Sequence, residues 1–144
     1  MIVATLAEQG FRRILIVNGH GGNSPAQSFC NEWMASHPGV CVRFHNWWNA
    51  PLVWKKVQEI DPVASHASWM ENFAWTRVAG AAPPDIRKPM VELARMQGLG
   101  PGATRALLGD GNFGGRYQRA ESDLETLWRE AVEETRQLIE TGWA

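Results

Sequence analysis

Hydrophobic positions in the first third of the chain follow two different periods, which together predict a strand–loop–helix–strand unit. Residues 14–17 read Ile-Leu-Ile-Val, a short β-branched run bounded by glycine that is typical of a buried parallel strand. Ser24 and Pro25 suit the N-cap and first position of a helix, and residues 40–44 predict a second strand. A right-handed parallel crossover is the natural connection between them. The predicted helix has its apolar residues at helical spacing: Ala26, Phe29, Cys30, Trp33 and Met34.

The rest of the chain predicts further helices separated by loops. Ile2, Val3 and Leu6 share one helical face, and Gly10 suits the end of that helix. No start signal precedes this helix, so we expect the chain to begin part-way through a larger fold. Three more helices are predicted, near residues 52–57, from Ser68 to about Val78, and at the C-terminus, where Ser122 and Glu125 match a capping box.

Composition narrows the class of protein. With 144 residues, of which 44% are hydrophobic, the sequence suits one globular domain with its own core. A net charge of −1 gives no electrostatic reason to expect nucleic acid or an anionic membrane as a partner. No apolar run approaches the roughly 18 residues of a membrane span, and no signal-peptide pattern is found, so we expect a cytoplasmic protein. Cys30 and Cys41 form no disulfide framework and are expected to be buried free thiols.

The strongest candidate for chemistry is His20, which lies among glycines directly after the first predicted strand. Ligands in open α/β sheets bind at the carboxyl ends of strands, and neutral imidazole is a common ligand of divalent metals. The alternative is that His20 caps the following helix through a ring nitrogen. A phosphate-binding loop is a third interpretation, but the loop lacks the lysine and the glycine order that such motifs require.

A second candidate is the segment from Ser65 to Asn72, which contains His66 and Glu71. If both residues were helical, their spacing of five would place them about 140° apart, too far to converge. If His66 lies just before a helix, both side chains can face one pocket. The alternative is that Ser68 and Glu71 form a capping box, which would occupy Glu71 structurally.

Other polar and aromatic residues favour structural roles. His37 precedes Pro38 at a helix end, where it complements the helix dipole. His45 follows a predicted strand, which favours a role in packing or at the surface and leaves a place near the site as the alternative. Trp47 and Trp48 form either an aromatic wall over a small ligand or part of the packing. Asp110, in a second glycine-rich loop over residues 109–115, favours a turn over a ligand role.

Three motifs resemble the creatininase (creatinine amidohydrolase) family. They are Asn-Gly-His-Gly-Gly-Asn at residues 18–23, the His66-Ala67 pair with Glu71 five residues after the histidine, and Gly-Asp-x-x-x-Gly at residues 109–114. The resemblance covers essentially the whole chain. It implies a three-layer α/β/α sandwich with a mostly parallel sheet, one domain over residues 1–144, and a homo-oligomer, often a hexamer. It also implies a two-metal centre of zinc or manganese that hydrolyses C–N bonds in small cyclic amides or formamides.

Matching these motifs residue by residue gives an expected site. The resemblance implies that His20 is a metal ligand, that Glu71 is a ligand or holds the bridging water, and that His66 transfers the proton. His66 and Glu71 are therefore the expected catalytic residues. Two cations lower the pKa of a shared water and polarise the amide carbonyl, and a histidine passes the proton to the leaving nitrogen. Contacts with the amide substrate are expected from Asn18, Gly21, Gly22, Asn23, Trp48 and Trp69.

The sequence departs from the family pattern in two ways. Ser68-Trp69 stands where members usually have Gly-Glu after the His-Ala pair, which indicates a different pocket with an aromatic wall. The family's first metal block, a Glu-x-His followed by an Asp, is absent ahead of the loop at residues 18–23. We therefore expect the C-terminal portion of a metal-dependent amidohydrolase, with an incomplete sandwich. The alternative is a non-catalytic α/β scaffold or truncated subunit without a complete metal site.

Overall fold

A computed structural model describes residues 2–143, which divide into two compact units. The first unit is formed by Met1–Trp54 with Glu130–Ala144, and the second by Lys55–Arg129. One domain can contain two compact units, so the single domain expected over residues 1–144 stays a prediction.

The first unit contains the predicted parallel strand pair. Its elements in chain order are helix α1 (Ile2–Glu8), strand β1 (Arg13–Asn18), helix α2 (Ser24–Ala35) and strand β2 (Cys41–Asn46). β1 and β2 pair in parallel, with Ile14 opposite Val42, as the sequence predicts. The core of this unit contains four residues that are buried together: Val3, Ile14, Cys30 and Val42.

Several local predictions in the first unit are wrong. Helix α2 has Asn23 rather than Ser24 as its N-cap, because the Ser24 hydroxyl donates to the Gly21 carbonyl 2.6 Å away instead of accepting from the helix amides. Strand β1 is expected to be buried, but its residue Val17 is 50% exposed. Cys30 is buried as expected, but the other thiol, at Cys41, is exposed at the start of β2.

Two helices complete the set of long elements. Helix α3 (Pro51–Ile60) confirms the predicted helical stretch, and its first turn is capped by Glu134, whose Oε2 accepts from the amides of Leu52 and Val53 at 3.1 Å each. Helix α5 (Glu121–Thr141) begins one residue before Ser122. Ser122 therefore lies inside the first turn, and the predicted capping box with Ser122 as N-cap is wrong.

The second unit has less regular structure than the sequence predicts. The helix expected from Ser68 to about Val78 is replaced by two 3-10 turns, Trp69–Glu71 and Ala74–Thr76. Phe73 adopts an extended conformation between the turns, and the Asn72 side chain donates to the Tyr117 carbonyl at 3.0 Å. These tertiary contacts replace continuous helical bonding. The unit also contains helix α4 (Pro101–Leu108) and the antiparallel strands β3 (Arg87–Lys88) and β4 (Gly115–Arg116).

Helices and a small parallel sheet together give an α/β fold. Within residues 2–143 the strands form two separate pairs, one parallel and one antiparallel. The three-layer sandwich with a mostly parallel sheet stays a prediction. No helix in the described part of the chain is long and apolar enough to cross a membrane.

Candidate active site

The glycine-rich loop after β1 is organised by Asn18, which is 4% exposed. Its Oδ1 accepts from the His20 amide at 3.2 Å and from Asn23 Nδ2 at 2.9 Å. Its Nδ2 donates to the His20 carbonyl at 2.9 Å and to Asn46 Oδ1 at 2.8 Å. These four bonds fill the hydrogen-bonding capacity of the amide. Asn18 thus holds the loop together, and the substrate contact expected from it stays a prediction that requires one bond to be exchanged.

His20 caps the short 3-10 turn that follows it, Gly21–Asn23. Its Nδ1 accepts from the Gly22 amide at 3.0 Å, and a Cβ at position 22 would lie only 2.8 Å from that nitrogen. A side chain at position 22 would therefore displace the His20 ring. A neutral imidazole that accepts through Nδ1 has its proton on Nε2, so ligation of a metal requires His20 to release Gly22. This geometry matches the capping alternative, and metal ligation by His20 stays a prediction.

The structure brings His66 and Glu71 together. Nδ1 of His66 lies 3.6 Å from Oε1 of Glu71, and the two side chains are 39% and 40% exposed. Between them Ala67 has a φ of 55°, a left-handed conformation that is uncommon for a residue with a Cβ. The Ala67 amide donates to Glu71 Oε1 at 3.0 Å. This bent turn brings the carboxylate back towards the imidazole, which a helix would not do.

The capping-box alternative for Ser68 and Glu71 is wrong. The Ser68 hydroxyl accepts from the Ser65 amide at 2.9 Å instead of capping the turn that follows it. The Glu71 carboxylate accepts from Ala67 and not from the Ser68 amide. Glu71 therefore faces the imidazole, with its Oε1 3.6 Å from Nδ1. An imidazole beside a carboxylate is suited to moving a proton.

The second glycine-rich loop packs against the His66 turn within the same unit. The Ser65 hydroxyl donates to the Gly114 carbonyl at 2.6 Å, and the Phe113 amide donates to the His66 carbonyl at 3.1 Å. The rings of His66 and Phe113 lie 4.8 Å apart between centroids, tilted by 54°. The sequence marks this loop by its glycines, but it does not indicate Phe113 as a neighbour of His66.

Asp110 closes a turn in this loop, in line with the sequence-based interpretation. Its Oδ1 accepts from the Asn112 amide at 3.2 Å and from Lys88 Nζ at 2.6 Å, and its Oδ2 accepts from the Tyr117 hydroxyl at 2.6 Å. The hydrogen bond from Lys88, followed by that from Tyr117, lowers the pKa of Asp110 to about 2. The same contact raises the pKa of Tyr117. The carboxylate therefore serves the loop structure.

The comparison with known families agrees with the motifs. The model of the creatininase family, described as creatinine amidohydrolase, matches residues 1–139. The chain belongs to the creatininase family. No curated protein and no solved structure gives a significant match to it. Membership supports a hydrolase, an amidohydrolase of the creatinine-hydrolase kind.

The two tryptophans expected at the substrate lie in different surroundings. Trp48 is half-buried in a 3-10 turn, Trp47–Asn49, of the first unit. Trp69 is fully buried in the second unit, because the turn that replaces the predicted helix directs it inward. A substrate contact by Trp69 stays a prediction that requires the indole to become accessible. Gly21, Gly22 and Asn23 are exposed and remain candidates for binding.

The other two histidines of this creatininase-family chain have structural partners. His37 Nδ1 lies 2.7 Å from the Trp33 carbonyl at the end of α2, and its ring stacks on the Trp33 indole at 3.9 Å. His45 is buried, with Nε2 3.2 Å from the Thr135 hydroxyl. Burial lowers the pKa of His45, while the nearby Glu134 charge opposes that shift. Both placements agree with the structural roles favoured by the sequence.

The metal centre implied by the family was compared with the donors of this chain. Among residues 2–143, no three or more His, Cys, Asp or Glu side chains are grouped so that they could hold a metal ion. His66 and Glu71 supply two donors, whereas catalytic zinc sites keep three protein ligands. The described residues therefore do not fit a complete metal centre on their own.

Proposed function

We propose that this chain hydrolyses C–N bonds in small cyclic amides or formamides, with His66 and Glu71 as its proton-transfer pair. The observation that carries the proposal is the 3.6 Å approach of the His66 imidazole to the Glu71 carboxylate, in a chain that belongs to the creatininase family. Neither residue is fully buried, so a small polar substrate can reach the pair.

The reaction adds water across the C–N bond. The water oxygen joins the carbonyl carbon, one water proton goes to the acid product, the C–N bond breaks, and the nitrogen leaves with the other water proton. His66 is the group that takes this proton from the attacking water and delivers it to the nitrogen, and Glu71 is the carboxylate beside the imidazole. The Ala67 amide holds the carboxylate in place through its 3.0 Å bond to Glu71 Oε1. Proton delivery to the nitrogen matters because an amide nitrogen is a poor leaving group until it is protonated.

The family implies a divalent cation, zinc or manganese, whose chemistry is to activate water and polarise the carbonyl. Because the described donors do not fit a complete centre, we assign no step to the cation. The homo-oligomer and the cytoplasmic location likewise stay predictions.

The test is an amide-hydrolysis assay on creatinine, other small cyclic amides and formamide, with zinc or manganese added and bound metal measured separately. We expect wild-type turnover and a loss of about 10²- to 10⁴-fold in His66→Gln, the usual effect of removing an acid–base group. Glu71→Gln should lose activity while keeping its fold. His37→Gln is the matched control, since this histidine lies at the end of α2. Equal activity in wild type and His66→Gln would refute the assignment, and no hydrolysis by a metal-loaded chain would favour a non-catalytic scaffold.

A further inference from the structure

We propose that Phe113 is a positioning residue for the His66 imidazole, an inference that rests on the proposed function. Phe113 makes two separate contacts with this residue. Its ring lies 4.8 Å from the imidazole between centroids, and its amide donates to the His66 carbonyl at 3.1 Å. One contact restricts the side chain and the other restricts the backbone that carries it.

The loop that carries Phe113 is itself held firmly enough to act as a support. On one side, Gly114 accepts the 2.6 Å bond from the Ser65 hydroxyl, and its amide donates to Asn112 Oδ1 at 2.6 Å. The Asn112 side chain is 2% exposed. Gly115 approaches the Val63 carbonyl so closely that a Cβ would lie 2.6 Å from the oxygen.

The other end of the loop is fixed by Asp110. Its carboxylate accepts from Lys88 and Tyr117 at 2.6 Å each, and from the Asn112 amide at 3.2 Å. Anchors on both sides of Phe113 therefore hold the loop backbone that carries its ring beside the imidazole.

His66 lies on a turn with its side chain 39% exposed, and its Nδ1 is 3.6 Å from Glu71 Oε1, beyond the range of a strong hydrogen bond. The Phe113 ring, 4.8 Å away between centroids, is a further neighbour that limits rotation of the imidazole. Misplacement of a reacting group by about 1 Å can lower the rate about 100-fold, so we expect loss of this contact to reduce kcat rather than substrate binding.

The experiment compares Phe113→Leu, which removes the aromatic ring, with Phe113→Tyr, which keeps it. We expect Phe113→Leu to lower kcat about 10- to 100-fold with KM within about twofold, and Phe113→Tyr to restore most of kcat. Independently of activity, the ring C–H signals of His66 in NMR should shift in Phe113→Leu, which loses the aromatic ring current, and stay near wild type in Phe113→Tyr. Phe29→Leu, at an exposed aromatic position on α2, is the matched control.

The outcomes separate this inference from the proposed function. Unchanged His66 signals and unchanged kcat in Phe113→Leu overturn the inference, as does a change confined to KM. If the wild-type chain hydrolyses no amide, the proposed function fails, and unchanged His66 signals in Phe113→Leu still overturn the inference, because the ring current reports the contact on which it depends. If Phe113→Leu does not fold, Phe113→Met replaces it, since methionine keeps the apolar bulk without the ring.

Discussion

The sharpest stability test compares two glycines of the second glycine-rich loop. Gly111 and Gly115 have nearly equal φ values, +91° and +94°. A Cβ added at Gly111 meets nothing within 4 Å, whereas one added at Gly115 lies 2.6 Å from the Val63 carbonyl oxygen. Alanine at either position therefore takes a φ that L side chains rarely adopt, but only at Gly115 does it also collide with the neighbouring segment.

The magnitudes follow from these two effects. Backbone strain at a left-handed position costs about 1–2 kcal/mol, so Gly111→Ala should lower the free energy of unfolding by about that amount. Relief of the contact at Gly115 requires movement of backbone, and overpacking of this kind costs a further 1–3 kcal/mol or so. Gly115→Ala should therefore be the less stable variant by about 1–3 kcal/mol.

Urea unfolding followed by circular dichroism measures the difference. With a slope of about 1–3 kcal/mol per molar urea, the midpoint of Gly115→Ala should lie on the order of 1 M below that of Gly111→Ala. Equal midpoints for the two variants would refute the close approach of Gly115 to Val63. A wild-type midpoint in Gly111→Ala would contradict the strain argument instead.

Three further predictions concern other residues. Ala67→Gly should raise the free energy of unfolding by about 0.5–1 kcal/mol, because Ala67 has a left-handed φ and relief of that strain, about 1–2 kcal/mol, exceeds the entropy cost of glycine. A urea midpoint below that of the wild type would contradict this prediction. Asp110→Asn should destabilise by at most about 1 kcal/mol at pH 7, since exposed ion pairs contribute little. The folded-state pKa of Asp110 is lowered from 3.8 to about 2, so its contribution to stability is present above pH 3.8 and is lost as the pH falls towards 2. The melting temperatures of the wild type and of Asp110→Asn should therefore converge across this range. Glu134→Ala should lower the free energy of unfolding by about 1–2 kcal/mol, because two amides at the start of α3 lose their acceptor. The control Glu140→Ala, on the exposed face of α5, should leave the urea midpoint near that of the wild type.

The predicted and observed strand pair shows where sequence patterns are sufficient. The run at residues 14–17 and the run at residues 40–44 each contain the β-branched residues that favour strands, and the helix between them provides the crossover that a parallel pair requires. The observed ends of these elements differ by one or two residues from the predicted ends, because capping depends on which side chain reaches which amide. At Ser24 the hydroxyl donates to Gly21, a choice that no local pattern specifies.

The candidate site was predictable in its members but not in its arrangement. The motifs indicate His20, His66 and Glu71 as residue types, yet the Ser68-to-Glu71 spacing equally matches a helix start. The structure resolves this ambiguity through Ser68, whose hydroxyl accepts from Ser65 at 2.9 Å. Phe113 could not have been predicted as a neighbour of His66, because 47 positions separate them along the chain.

The sequence by itself determined the family, the parallel strand pair and the residues that carry the candidate chemistry. These properties depend on local composition and motif spacing, which are read directly along the chain. The tertiary structure decided that His66 faces Glu71 across a left-handed Ala67, and that the loop around Phe113 packs against the imidazole. These properties depend on contacts between segments that are distant along the chain, and no local pattern of residues specifies such contacts.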